Sequence, residues 1–189
     1  MIKVTGGTLR GRALPAAVPE GVRPTSSRAR EALFSIVGQD LEGVSFLDLF
    51  SGSGLLAIEA WSRGARPVSA VDRAPRSLAA IRQNVAALGA EVEVVSGDVG
   101  AVTRGADLVY LDPPFADDIA AWIVRVAPLA GAVLVAESRA GAGVPDSAGA
   151  QPSAIPTAPL HSSTGHWAGS IVGSIHSPSK VETIGTAWS

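Results

Sequence analysis

Val44-Ser-Phe-Leu-Asp48-Leu-Phe50-Ser-Gly52-Ser-Gly54 is the stretch on which the fold turns. An apolar run, Val44 to Phe50, ends abruptly in a Ser/Gly turn, and an apolar segment through Trp61 follows with helical character. A strand feeding a helix through a glycine-rich turn is the opening of a βαβ unit. Outward from it the alternation continues. Pro67 to Val71 reads as a second strand ending at Asp72, and a helix opens with Pro75 and places Leu78, Ile81, Val85 and Leu88 three and four residues apart. Glu91 to Val95 and Asp107 to Leu111 read as the third and fourth strands. A helix carrying Ile119, Trp122, Ile123 and Val126 leads to a fifth, Ala132 to Ala136. Strands alternating with helical stretches predict an α/β fold, a doubly wound parallel sheet with helices on both faces.

The chain has 189 residues, 47% of them hydrophobic and 17% charged, which suits one α/β domain with extensions and excludes general disorder. It has no cysteine, so disulfides, thiolate nucleophiles and cysteine zinc sites are excluded together. No apolar run reaches the ~20 residues of a membrane span, and the N-terminus lacks a secretory apolar block; the expectation is a cytoplasmic protein.

Charge divides the sequence in three. Residues 1–38 carry six basic side chains against two acidic ones, and residues 39–137 carry seven against thirteen: a basic arm on an acidic body, suited to a polyanionic partner. Within the arm, residues 2–14 read as a hairpin and Thr25 or Ser26 as the cap of a helix. Segment 138–189 has four charged residues, ten serines and five prolines, with strand-like pieces only near Ile171-Val172 and Val181 to Ile184. This composition resembles a linker or a poorly ordered tail, and no fold is assigned to it. Its histidines (161, 166 and 176) have no carboxylate or cysteine beside them, so no metal site is expected.

Ligands bind beyond the carboxyl ends of parallel strands, and three features of the sequence fall there. Asp48 to Gly54 supplies a turn in which Gly52 and Gly54 let backbone approach a ligand; with Ala57 it also fits the dinucleotide pattern G-x-G-x-x-A. A tight strand-to-helix turn needs glycine whatever binds. Asp72, at the end of the second strand, can accept both hydroxyl hydrogens of a ribose, or merely cap the Pro75 helix. Asp98, in Ser96-Gly97-Asp98-Val99, can accept from an adenine amino group or serve as a turn residue.

The tetrad Asp112-Pro113-Pro114-Phe115 follows the fourth strand. A dinucleotide oxidoreductase has no particular use for it. A nucleobase amino group is a poor nucleophile because its lone pair is delocalised into the ring. Asp112 and the Pro113 carbonyl can accept its two N–H groups and aim the lone pair at a methyl donor. The prolines stiffen the loop, and Phe115 can stack on an extruded base. The bland alternative is an Asp-Pro-Pro turn beside a core phenylalanine.

Residues 1–137 resemble the bacterial 16S rRNA guanine-N2 methyltransferases, the RsmD-like family. The resemblance rests on Gly6-Gly7-Thr-Leu-Arg10-Gly-Arg12, Arg23-Pro24-Thr25-Ser-Ser-Arg28-Ala-Arg30-Glu31-Ala-Leu-Phe34, Asp48 to Gly54 with Glu59-Ala60, and Asp112 to Phe115. It implies the class I S-adenosylmethionine-dependent methyltransferase fold, Rossmann-like, over 39–137, with 1–38 as a basic RNA-binding extension. The implied cofactor set is Asp48, Phe50, Ser51, Gly52, Ser53, Gly54, Asp72, Arg73, Asp98 and Val99. Asp112, Pro113, Pro114 and Phe115 would hold the guanine, and Arg10, Arg12, Arg23, Thr25, Arg28 and Arg30 would meet the RNA. Some of those arginines could pack on the body instead. Five arginines pairing with single-stranded RNA predict log affinity falling with log salt at about −3.5. The implied partner is 16S rRNA in small-subunit particles, bound by a monomer.

Beyond Glu137 the resemblance stops. The family's closing pair of strands with its Tyr-Gly-x-Thr segment is missing, since Tyr110 is the only tyrosine, and the expectation is an exposed edge on the fifth strand. A DNA adenine amino methyltransferase suits the tetrad, but the arm is too short to read a DNA sequence. A non-catalytic RNA-binding or assembly protein is the alternative from a different class.

Overall fold

The computed structural model describes residues 2–16, 25–114, 116–138, 170–176 and 180–186. Its elements run α1 (Ser27–Val37), β1 (Phe46–Leu49), α2 (Leu55–Ser62), β2 (Val68–Asp72), α3 (Pro75–Leu88), β3 (Glu93–Ser96), β4 (Ala106–Leu111), α4 (Ile119–Val126), β5 (Ala130–Ser138), β6 (Ser170–His176) and β7 (Lys180–Thr186). One seven-stranded sheet has the order β3-β2-β1-β4-β5-β6-β7. All neighbours are parallel except β6 and β7. Strand order reverses between β1 and β4, the place where a doubly wound sheet opens a crevice.

Alternation along the strands divides the core into two layers. Phe46, Val68, Ala70, Leu108, Tyr110 and Val135 face α2 and α3, whose Leu56, Ile58, Ile81 and Leu88 meet them. Leu47, Leu49, Val71, Val109, Leu111 and Leu134 face α4 through Ile119, Ile123 and Val126. The helices end as their caps require. The Ser26 side chain accepts the Ala29 N–H at α1, Pro75 opens α3, and Gly89 closes α3 in the left-handed conformation.

The arm packs into the first layer. Val4, Leu9 and Leu14, with Leu33 and Phe34 of α1, belong to the same buried cluster as the sheet. The Ser62 hydroxyl, at the end of α2, donates to the Gly6 carbonyl at 2.7 Å and accepts the Leu9 N–H at 2.8 Å.

The tail requires a correction. The edge of β5 is covered: β6 pairs with it in parallel, from Val133↔Ile171 to Ser138↔His176, and β7 returns antiparallel. The two strands enclose the short strand-like pieces of the sequence. Ser, Thr and Gly interrupt the apolar residues of both strands, so only those short pieces were legible. His161 and His166 lie outside the described residues.

Candidate functional site

Strand register builds the site. Val95, Val71, Leu49, Leu111 and Ala136 form one row across the sheet. The next residue on four of these strands is therefore Asp72, Phe50, Asp112 and Glu137, side by side at the carboxyl ends. One row lower, Asp48 lies beside Tyr110 and Tyr110 beside Val135.

The turn after β1 is held from both sides. Ser51 Oγ donates to Asp48 Oδ2 at 2.6 Å, and the Ala57 N–H donates to the same oxygen at 3.2 Å, tying the buried Asp48 to the start of α2. Burial pushes the Asp48 carboxyl up to about 7 against these two bonds. Gly52 and Gly54 adopt positive φ (58° and 78°), as the sharp turn demands. Asn84 of α3, wholly buried, donates to the Ser53 carbonyl at 2.9 Å and accepts the Ala16 N–H at 2.9 Å, so it links turn and arm. Phe50 takes φ 63°, and among the described residues no other non-glycine residue is left-handed.

Asp72 does two things at once. Its Oδ2 accepts the Gly52 N–H at 2.9 Å and its Oδ1 the Ala74 N–H at 2.8 Å, bracing the turn and the entry to α3 together. Asp98 accepts the Gly100 N–H at 2.7 Å, starting a short 3₁₀ turn, Val99–Ala101, and pairs with Arg73 at 3.4 Å. Val99 is buried and belongs to the α4-side core.

Asp112 sits half-buried at the reversal point, its N–H reaching the Leu49 carbonyl at 3.4 Å. Burial raises its carboxyl to about 8, helped by the charges of Glu137 and Asp48. Pro113 is buried and Pro114 exposed; Phe115 lies outside the described residues. Tyr110 donates its hydroxyl to Glu137 at 2.6 Å, and the Thr25 side chain lies close to the same phenol. Burial foremost, then Glu137 and Asp112, holds the Tyr110 proton on well above the usual range. Thr25 therefore reaches the strand ends and not only the solvent side of the arm.

The arginines separate. Arg10, Arg12 and Arg28 are exposed, and Arg23 lies outside the described residues. Arg30 corrects the expectation of an RNA contact: it is 2% exposed, its Nε donates to Glu59 at 2.9 Å, and its other nitrogens reach the Thr25 and Lys3 carbonyls. Glu59, fully buried on α2, also accepts the Thr5 N–H at 2.9 Å and hydroxyl at 2.8 Å. A buried carboxylate demands a cation, and Arg30 answers that demand rather than RNA.

Tyr110, Glu137, Asn84 and Glu59 were not singled out for roles by sequence reasoning. Two left signals: Asn84 interrupts the apolar stripe of α3 three residues after Ile81, and Glu59 is the one charge in apolar α2. A polar residue on a buried face marks a required partner. The Tyr110–Glu137 contact left none, because it crosses two strands.

Residues 2–137 match the model of a family described as conserved hypothetical protein 95. The chain belongs to this family, as the RsmD-like resemblance indicated. It is 34% identical over 119 residues to "Ribosomal RNA small subunit methyltransferase D" of Escherichia coli, covering 60% of each chain. The protein of that name from Haemophilus influenzae is 32% identical over 123 residues, 60% of this chain and 64% of that one. The match thus spans less than two thirds of the length of these relatives. Among solved structures it resembles "Putative methyltransferase yhhF" of Escherichia coli, with TM-score 0.60 and 32% identity over 68% of this chain and 74% of that one. A Thermus thermophilus protein matches with TM-score 0.59 and 29% identity over 68% and 78%. The fold is the Rossmann-like class I methyltransferase fold.

Proposed function

We propose that this family member transfers the methyl group of S-adenosylmethionine to the exocyclic N2 amino group of a guanine in 16S rRNA, acting as a cytoplasmic monomer on small-subunit particles. The observation that carries the reading is the row of strand ends that sets Asp112 beside the Phe50–Gly54 turn and Asp72 on its other side. The names of the relatives support methylation of ribosomal RNA.

The residues suit a sulfonium nucleoside. A carboxylate offers about four acceptor positions. The Gly52 and Ala74 bonds leave Asp72 capacity for ribose hydroxyls. Ser51 to Gly54 would pass the methionine portion, and Asp98 with Val99 the adenine. Arg73, paired with Asp98 at 3.4 Å, would stand with it at the same side of the cofactor. The bound donor supplies an electrophilic methyl carbon. Asp112 and the Pro113 carbonyl accept the two N–H groups of guanine N2, which favours a tetrahedral nitrogen and directs its lone pair. The proton that N2 sheds passes to the Asp112 carboxylate. Pro114 stiffens the loop, and Phe115 stacks on the base, a contact of about 1–3 kcal/mol. Arg10, Arg12, Arg23 and Arg28 hold the RNA backbone, and Thr25 joins them to the strand ends.

The test uses small-subunit particles lacking the modification, labelled donor and nucleoside digestion. One N2-methylguanine per particle is expected with the wild-type chain and none with Asp112→Ala. Label in adenine or DNA, or equal silence of both proteins, would overturn the reading.

A further inference from the structure

Helix α4 touches three of the strand-end loops through two side chains. The Trp122 indole meets the Phe50 ring edge to face, with centroids 5.1 Å apart and planes at 84°. Its Nε1–H donates to Asp117 Oδ2 at 2.9 Å, and the Asp117 N–H donates to the Pro114 carbonyl at 2.9 Å. Arg125, on the same face, lies over the Trp122 ring at 5.7 Å and donates from Nη2 to the Gly100 carbonyl at 2.8 Å. A Cβ on Gly100 would fall 2.3 Å from that Nη2, so the guanidinium occupies the space a side chain there would need.

The contacts fall on the loops after β1, β4 and β3. Phe50 holds the left-handed backbone conformation noted above, which costs roughly 1–2 kcal/mol for a residue with a Cβ and persists only where neighbours enforce it. Trp122 is the aromatic neighbour that packs against it. The periodicity of α4 marks Trp122 as an ordinary core residue. It is half-buried instead, with its one donor turned to the loop after β4.

We propose that Trp122 is a positioning residue: it ties the donor-side loop after β1 to the acceptor-side loop after β4, and Arg125 extends the tie to the loop after β3. The inference rests on the methyltransferase reading and deepens it. Transfer requires donor carbon and amine nitrogen in line, and a misplacement of ~1 Å can cost ~100-fold in rate. Trp122 is not among the residues assigned to either reactant, and it acts through Phe50 and Asp117. Its effect is on the geometry of the bound complex, so it belongs in kcat.

Trp122→Phe keeps a ring against Phe50 and removes the N–H. At saturating RNA and donor, the single-turnover rate is expected to fall about three- to tenfold while S-adenosylhomocysteine affinity stays within about twofold. Asp117→Ala should give the same loss, and the double variant no further loss, because one hydrogen bond is removed by either change. Trp122→Leu, which also releases Phe50, should weaken S-adenosylhomocysteine binding. Hydrogen exchange on the unliganded protein reads the tie without activity: the Asp117 amide should exchange about tenfold faster in Trp122→Phe than in wild type. An unchanged rate, multiplying losses in the double variant or unchanged exchange would overturn the proposal. A wild-type chain that transfers no methyl group would overturn the function, and hydrogen exchange would then decide the tie by itself.

Discussion

Asp112 is the residue whose ionisation should be visible from outside. Only the carboxylate form can take up the proton that N2 sheds in the proposed transfer, and burial with two neighbouring charges raises its carboxyl to about 8. Methyl transfer should therefore increase as pH rises through about 8. Glu137→Gln removes one of those charges, so the rising limb should move to lower pH in a single-turnover pH profile. Stability runs the other way. Below its ordinary value of 3.8 the group is protonated in folded and unfolded chains alike; above that the folded chain retains the proton more tightly. The raised value therefore contributes stability at low pH that is lost as pH climbs towards 8. Asp112→Asn should flatten this decline in urea titrations between pH 5 and 8.5. Arg28 and Arg30 make a second contrast. Arg30→Ala leaves Glu59 buried without its closest cation and should cost about 3–5 kcal/mol in denaturant unfolding. Arg28→Ala, at an exposed position, should leave stability within about 0.5 kcal/mol.

Among the elements, the arm depends most on one close approach. Gly7 has φ 72°, and a Cβ there would fall 1.9 Å from the Ser62 carbonyl oxygen. That obstacle is backbone, so it cannot turn aside. Gly7→Ala should lower stability by at least about 1 kcal/mol through φ alone and detach the arm from α2. Faster exchange of the Leu9 amide, now held by Ser62 Oγ at 2.8 Å, would report the detachment. Gly11 has φ 82° but open space around it, so Gly11→Ala should cost only the backbone strain. The comparison separates strain from collision.

At the scale of the molecule, β6 and β7 close one side of the sheet, and the prediction concerns their loss. A chain cut after Ser138 exposes the β5 edge, whose carbonyl and N–H groups then await another strand. A lower thermal midpoint and concentration-dependent association in sedimentation are expected. Charge is also read at this scale. With Arg30 withdrawn into the core, the proposed RNA contact keeps four arginines, and the expected slope of log affinity against log salt becomes about −2.8 rather than −3.5. Arg10→Ala or Arg28→Ala should each reduce its magnitude by about 0.7 in filter-binding titrations, with Arg30 excluded by its burial.

The sequence by itself determined the βαβ order, the turn at Gly52 and Gly54, and Asp72 and Asp112 as strand-end carboxylates. Local rules suffice for these: glycine permits left-handed backbone, proline opens α3, and apolar periods of two and near four place strands and helices. Tertiary structure alone decided that Arg30 turns inward to Glu59 while Arg28 stays out, that Tyr110 and Glu137 join across β4 and β5, and that two strands from the tail complete the sheet. Each outcome depends on partners far along the chain: Glu59 is 29 residues from Arg30, and Glu137 is 27 from Tyr110. A side chain's charge is written in the sequence, but whether it meets water or a buried counter-charge is set only when distant segments pack together.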